Sequence, residues 1–473
     1  MPAASYQPVL SFLGAAKTVT GSRFLVETPA ARVLVDCGLC QERELQSRNW
    51  EPFPGPADRL DAVLLTHAHL DHCGLLPRLA KEGFRGRIHC TGPTAEIAKI
   101  VMLDSARLQA EDVENKKRRH EREGRKGPHP LVPLYSEADA EAASRLFAVV
   151  EPGAVVEVAD GMRADFHEAG HILGSSSIRL HAGAGAAARR ILFSGDIGRW
   201  GTPILNDPAP CDGADYVVME STYGDSLHGR EAGVAGELAR VVNETAEAGG
   251  NVVIPSFAIE RSQEVLYHLN MLLAANRIPH LLTFLDSPMA VKVTGIFSKW
   301  TQFHDADMRD LERTGRSPFD LPGLVMTASA DESKAINRVK GTAIIIAGSG
   351  MATGGRIKHH LVRNITRRES TILFVGYQAS GTLGRQILDG ARRVRIFGEE
   401  LPVRARIERI SGFSAHADRD ELLRWAAVQS TAPRRAFVVH GEPKVAERFR
   451  ATLSSARGWQ ATVPGPGEKV ELS

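Results

Sequence analysis

Short apolar runs that end in small or polar residues punctuate this chain, and their spacing predicts its elements. Near the start, Phe12-Leu13-Gly14 leads to Val19-Thr20-Gly21-Ser22, then to Phe24-Leu25-Val26 and Val33-Leu34-Val35, which read as strands joined by tight turns. Asp61-Ala62-Val63-Leu64-Leu65 is continuous and apolar like a buried strand, and Leu75, Leu76, Leu79 and Ala80 follow it at helical spacing. Ile97, Ile100, Val101, Leu103 and Leu108 recur on one side and predict a helix over 94–120. Residues 154–179 alternate as antiparallel strands, and 191–193 form another apolar strand.

From about residue 207 the pattern changes. Apolar runs at 216–219, 251–255, 280–284, 343–347 and 371–375 alternate with helical stretches, which predicts a mostly parallel sheet in an open α/β domain. The tail goes back to the pattern of the first two hundred residues or so. Residues 403–410 alternate as a half-buried strand, a helix with Leu422, Leu423 and Trp425 follows, and the run 436–439 hands over to a last helix. At 473 residues the chain is longer than one hydrophobic core usually serves, so two domains are expected.

One handover from strand to helix carries an unusual density of donor atoms, in Thr66-His67-Ala68-His69-Leu70-Asp71-His72. In extended chain His67 and His69 point to the same side, because side-chain direction repeats every two residues. Asp71 and His72 enter the first helical turn and face the same cavity from another direction. Four such side chains can split into two pairs, one for each of two adjacent cations. Imidazole with carboxylate suits zinc, with manganese or iron as second choices. A histidine merely hydrogen-bonded at a strand end is the plain alternative, and it does not account for the whole H-x-H-x-D-H pattern.

Other candidates are weaker alone. Asp36, at the end of the strand over 33–35, either caps a loop or orients a ligating histidine. Glycines frame His171, as a backbone bending tightly to present an imidazole would require, whereas His167 on the preceding strand reads as structural. Asp196 lies on a glycine-flanked turn, where a carboxylate can bridge two cations. The stretch from Gly348 to Gly355 matches neither nucleotide fingerprint but offers backbone N–H groups to a phosphate.

Composition adds little for or against these readings. The chain is 43% hydrophobic and 24% charged, with a net charge of +2, so any nucleic-acid affinity must come from local patches. The run Asn115-Lys116-Lys117-Arg118-Arg119-His120, with Arg122, Arg125 and Lys126 beyond it, is one such patch, although a solvated helix end is the commoner reading. There is no apolar run of the roughly eighteen residues a membrane span needs, and no basic-then-apolar leader. The five cysteines (37, 40, 73, 90 and 211) cannot all pair, which fits a cytoplasmic protein. Cys37 and Cys40 form a C-x-x-C with no second pair to complete a zinc ribbon, and read as small buried residues.

These pieces in this order resemble the metallo-β-lactamase superfamily and, within it, the β-CASP nucleases. The likeness runs from Gly14 to the C-terminal helix and looks closest to bacterial and archaeal relatives of the polyadenylation-type cleavage endoribonuclease. The resemblance implies an α/β fold in which an αββα sandwich is interrupted by an inserted β-CASP open α/β domain, with the active site in the cleft between them. The expected bounds are 1–207 and 389–473 for the sandwich, the latter with the RNA-metabolising motif, and 208–388 for the insertion. By the same resemblance Asp36 is motif 1, His67, His69, Asp71 and His72 are motif 2, His171 is motif 3 and Asp196 is motif 4. Glu220 falls on motif A and His416 on motif C. One zinc would take His67, His69 and His171, the other Asp71, His72 and His416, with Asp196 bridging them. Asp71, Glu220 and His416 are then the catalytic candidates.

At motif B many members carry a histidine, and Gln386 stands there instead. A proton for the leaving oxygen must then come from elsewhere, with Glu220 and His416 the first candidates and His360 a weaker one. Histidine at motif C points to RNA, with DNA a second choice. The implied activity is hydrolysis of RNA phosphodiester bonds by a two-metal mechanism, endonucleolytic with 5′–3′ exonuclease action, on single-stranded RNA and in a homodimer. Ser349, Gly350 and Ser380, on loops at strand ends of the insertion, and Arg261 and Arg385 are candidate substrate contacts. There are two rival readings. A small-molecule metallohydrolase of lactonase or glyoxalase II type is opposed by the long insertion and motif C. A catalytically silent RNA-binding scaffold is opposed by the intact H-x-H-x-D-H stretch.

Overall fold

In the computed structural model, residues 7–42, 44–124, 131–228, 233–379 and 381–473 are described. Ser380 and the basic residues Arg125 and Lys126 lie outside them. The chain divides into two compact units, one comprising 1–200, 207–227 and 416–473, the other 201–206 and 228–415.

The first unit is built on two seven-stranded sheets. In spatial order one runs Lys469–Glu471, Val9–Phe12, Phe24–Glu27, Arg32–Val35, Ala62–Leu64, Arg87–Cys90 and Phe147–Val149. The other runs Ala461–Thr462, Arg435–Val439, Tyr216–Glu220, Arg189–Phe193, Ser176–Ala182, Met162–Glu168 and Val155–Ala159. Successive strand side chains point to opposite faces, and the apolar runs use both. Ile191, Phe193, Val218, Phe437 and Val439 join Leu10, Phe12, Phe24, Val33 and Leu64 in one core between the sheets. The intervening Leu192, Val217, Met219 and Val438 turn the other way, onto Leu422, Trp425, Phe449 and Leu453 of the helices Arg419–Ala426 and Pro443–Arg457. This arrangement explains why these strands are continuously apolar rather than alternating. The helix expected over 94–120 spans Gly92–Glu123 and stops at Gly124, which takes the left-handed conformation (φ 60°).

The second unit carries a six-stranded, wholly parallel sheet in the order Leu324–Met326, Leu282–Asp286, Ala343–Ala347, Val252–Pro255, Thr371–Phe374 and Arg406–Arg409. Two strands fall on a different side of the boundary from the one their position suggested. Tyr216–Glu220, expected to open the insertion, lies inside the second sheet of the first unit, parallel to both Arg189–Phe193 and Arg435–Val439. Arg406–Arg409, expected to belong to the returning domain, is instead an edge strand of the six-stranded sheet, paired with Thr371–Phe374. Both are short strands with no feature that selects a partner sheet, so tertiary pairing decided their membership. Among the described residues no helix is long and apolar enough to cross a membrane. All five cysteines are buried and none forms a disulfide.

One buried carboxylate knots the second unit together. Asp286 accepts hydrogen bonds from Ser333 Oγ (2.6 Å), Arg356 Nη1 (2.7 Å), His360 Nε2 (2.6 Å) and Thr327 Oγ1. His360 is therefore tied to Asp286 and buried, not presented as a proton donor. Burial alone would raise the pKa of Asp286, but bonds from His360, Ser333, Thr327 and Arg356 outweigh it and hold the carboxyl well below the usual range. Its contribution to stability is thus full above the unfolded value of about 3.9 and is lost as pH falls through the lower folded value. Asp286→Asn is expected to cost roughly 1.5–3 kcal/mol at neutral pH. In urea titrations the gap to the native sequence should narrow below about pH 4, and a gap independent of pH would contradict this account.

Candidate metal centre

Parallel strands held in register deliver their carboxyl ends to one level. Phe193 pairs with Val218 and Val218 with Phe437, so Asp196, Glu220 and His440 emerge from adjacent strands at the same edge. From the facing sheet, Ala62–Leu64 runs into His67 and His69, and the short helix Leu70–Cys73 then carries Asp71 and His72. His171 sits in the turn between Met162–Glu168 and Ser176–Ala182. This turn and the one carrying Asp196 touch so closely that a Cβ on Gly198 would lie 1.8 Å from the Gly170 carbonyl oxygen. Only glycine fits at 198.

Two donor sets result. In the first, His67 Nε2 and His171 Nε2 each lie 3.1 Å from His69 Nδ1, and Asp196 Oδ2 is 3.5 Å from His67 Nε2 and from His171 Nε2. Ring nitrogens around a tetrahedral zinc with Zn–N of 2.0–2.1 Å would be about 3.3 Å apart, so this spacing is that of ligands around one cation. In the second, His72 Nε2 is 3.2 Å from His440 Nε2, which is 3.5 Å from Asp71 Oδ2. Asp196 Oδ1 faces this set, 3.4 Å from His72 Nε2 and 3.6 Å from His440 Nδ1. No hydrogen bond reaches that oxygen although it is fully buried. A buried carboxylate oxygen without a donor is costly unless positive charge stands beside it. The histidine and aspartate cluster therefore fits a dinuclear metal site.

The sequence reading placed His416 with Asp71 and His72, and the geometry puts His440 there instead. His416 Nδ1 lies 3.3 Å from Glu220 Oε1 and 4.0 Å from Asp196 Oδ2, with its side chain 23% exposed. Glu220 is buried, its Oε1 accepting from the Ile197 N–H (2.7 Å) and its Oε2 from the Thr222 N–H (3.1 Å). Sequence spacing cannot say which of two distant histidines reaches a given pair of ligands. A signal for His440 was nonetheless present, because an apolar strand ending in His440-Gly441 before a helix repeats the handover seen at His67. His440 adopts a left-handed φ of 49°, and its N–H donates to the Ala15 carbonyl (2.7 Å), which fixes the turn that aims its ring.

Asp36, also left-handed at φ 58°, lies beneath both sets. It receives the Thr66 N–H and Oγ1–H (2.9 Å each), the Ser22 hydroxyl (3.1 Å) and His72 Nδ1–H (2.7 Å). The last bond fixes Nδ1 as the nitrogen that keeps its proton, so Nε2 is the one that a cation would take. Burial, with help from His72, holds His67 well below the ordinary histidine range and lowers His69 to about 4, so both are neutral with lone pairs free. Burial also opposes charge on His72 and His440, but Asp196, with Asp36 for the former and Asp71 for the latter, outweighs it and raises both. For His416, burial is outweighed by Glu220, Asp196 and Asp71, which push it up to about 9. In the protein alone, protons on these rings balance the carboxylates, and cations entering the second set must displace them.

The candidate substrate contacts lie in the second unit and are partly engaged already. Arg261 is buried, ion-paired to Glu264 and stacked 5.3 Å over the Phe413 ring, so it serves the interior rather than a surface. Arg385 is exposed and bonded to Asp389 (2.8 Å). Ser349 Oγ accepts from the N–H groups of Thr353 (3.1 Å) and Gly354 (3.3 Å), closing its own loop. Gly350 lies against Phe257.

Comparison with known proteins adds three family matches, to the metallo-beta-lactamase superfamily over 18–255, a Beta-Casp domain over 262–387, and a Zn-dependent metallo-hydrolase RNA specificity domain over 400–464. The chain is 36% identical over 461 residues to Ribonuclease TTHA0252 of Thermus thermophilus, covering 97% of this chain and 99% of that protein. It is 31% identical over 470 residues to Transcription termination factor FttA of Methanocaldococcus jannaschii, covering 96% of this chain and 70% of that one. A crystal structure of a protein of unknown function from Enterococcus faecalis V583 shares the fold, with a TM-score of 0.53 at 11% identity over 98% of this chain and 99% of that one.

If Asp36 sets the orientation of His72, Asp36→Asn should weaken metal retention roughly 10–100-fold. Competition with a chelator reads this directly. Unchanged retention would mean that Asp36 serves the loop alone.

Proposed function

The chain belongs to the metallo-beta-lactamase superfamily and, within it, to the Beta-Casp proteins; from that premise we propose that it is a zinc-dependent ribonuclease hydrolysing phosphodiester bonds of single-stranded RNA. The observation that carries the reading is the pair of adjacent donor sets, each faced by one oxygen of Asp196, in a chain that aligns almost end to end with a ribonuclease. His67, His69, His171 and Asp196 would hold one zinc, and Asp71, His72 and His440, with the facing Asp196 Oδ1, the other. Two cations in these sets would supply Lewis-acid polarisation and charge stabilisation for in-line displacement at phosphorus.

The remaining work falls to the protein. His416 is partly exposed and held through Nδ1 by buried Glu220, a pairing that supports its role in passing a proton to the leaving oxygen. Glu220 is itself fixed by two backbone N–H groups, so it orients His416 without moving. Gln386, an amide, has no proton to give at this step, whereas an imidazole paired with a carboxylate does. Asp36 and Thr66 hold the imidazole of His72 in one orientation.

Metal analysis of the native chain should give about two zinc. His440→Ala should lose about one of them, while His416→Ala should keep both and lower kcat by roughly 10²–10⁴-fold. His69→Ala should abolish hydrolysis with the fold intact by circular dichroism. Full zinc in the His440 variant, or full turnover in the His69 variant, would overturn the assignment. Incubating 5′-phosphorylated and 5′-hydroxyl RNA with the native chain then separates internal cuts from cuts that start at an end.

A further inference from the structure

Phe257 is an aromatic ring that the second unit holds open to solvent, 38% exposed. It follows the central strand Val252–Pro255, and a glycine from the strand on each side lies against it. A Cβ on Gly350, after Ala343–Ala347, would come within 2.7 Å of the ring, and one on Gly376, after Thr371–Phe374, within 3.3 Å. The ring therefore lies on bare backbone from both neighbours. Gln378 braces the two loops, donating through Nε2 to the carbonyls of Gly350 (2.9 Å) and Gly376 (3.2 Å). Tyr377, between Gly376 and Gln378, presents a second ring that is 51% exposed.

The position in the sheet is informative. From Val252–Pro255 the chain passes to Leu282–Asp286 on one side, returns to Ala343–Ala347, then crosses to Thr371–Phe374 on the other. Strand order thus reverses at the strand that carries Phe257, and ligands of open parallel sheets bind outside the carboxyl ends at such a point. A phenyl ring offers no hydrogen bond and no charge, only a flat apolar face. The flanking residues are glycines rather than further apolar side chains, so the surface is a single platform and not a patch for a protein partner. A flat aromatic ligand matches it, and every nucleobase has such a face.

We propose that Phe257 is a stacking platform for one base of the single-stranded RNA substrate, with exposed Tyr377, which follows Gly376 in the chain, as a second ring. This rests on the ribonuclease reading above. Gly350 then acts by letting the ring lie flat, not by contacting phosphate, and base identity matters little at this position.

The test is fluorescence anisotropy with a labelled RNA oligomer, in the His69→Ala background so that the RNA stays intact. Adding Phe257→Ala should weaken binding roughly five- to 150-fold, the span of one base–aromatic stack. Phe257→Trp should bind close to the parent, because a larger ring stacks as well. Oligomers with one abasic residue moved along the strand should include a position at which Phe257→Ala costs nothing further, since the stacked base is already gone. Binding by the alanine variant equal to the parent, or equal loss in the alanine and tryptophan variants, would overturn the proposal while leaving the ribonuclease reading in place. A parent that binds no single-stranded RNA would overturn both.

Discussion

The carboxylate of Asp196 is the constraint on which the first unit depends. It is a buried negative charge whose two oxygens face different clusters of imidazoles, one of them with no hydrogen bond at all. Burial opposes its ionisation, yet His440, His72 and His67 hold its pKa well below the usual carboxylate range. An arrangement of this kind is stable only while positive charge sits among the ligands, as protons or as cations. Such a site has little reason to persist for packing alone, because apolar residues of similar volume would stabilise the same interior better.

Everything else about the unit can be read as the means of holding that charge. Three parallel strands in register bring Asp196, Glu220 and His440 to one level, and the facing sheet brings the histidines of 67–72 opposite them. The core between the sheets supplies rigidity, with Phe437, Phe12, Phe24 and Phe193 linked in a chain of ring contacts. Glycines are spent where two turns must touch, as at Gly170 and Gly198. Left-handed backbone appears at Asp36 and His440, two residues whose side chains must turn back toward the ligands. Local strain of that kind persists only where the surroundings fix it.

Much of this was legible in the sequence, for physical reasons. The strand and helix of residues 61–80 could be read because their periodicities differ, and a donor-rich junction between them has few structural explanations. The alternation of strand and helix after residue 250 announced a parallel sheet, since parallel strands require crossovers. What could not be read was partnership across long separations. Tyr216–Glu220 and Arg406–Arg409 each suit either sheet, and only pairing assigns them. His440 stood at a visible strand-to-helix handover, but which ligands it joins appears only once Val439 lies beside Glu220. Arg261 shows the opposite error, a basic residue read as a substrate contact that instead balances Glu264 inside the fold.

The pairing of Tyr216–Glu220 with Arg435–Val439 has a consequence for synthesis of the chain. The strand that delivers His440 is made more than two hundred residues after the one it lies beside. Closing so large a loop is costly for a flexible chain, and an intervening segment that has already folded shortens the effective distance. On the ribosome the second unit can therefore assemble first and draw the late strand home. Until residue 440 has emerged, a nascent chain lacks one side of the centre, so incomplete translation products carry an open and unbalanced pocket in place of a finished one.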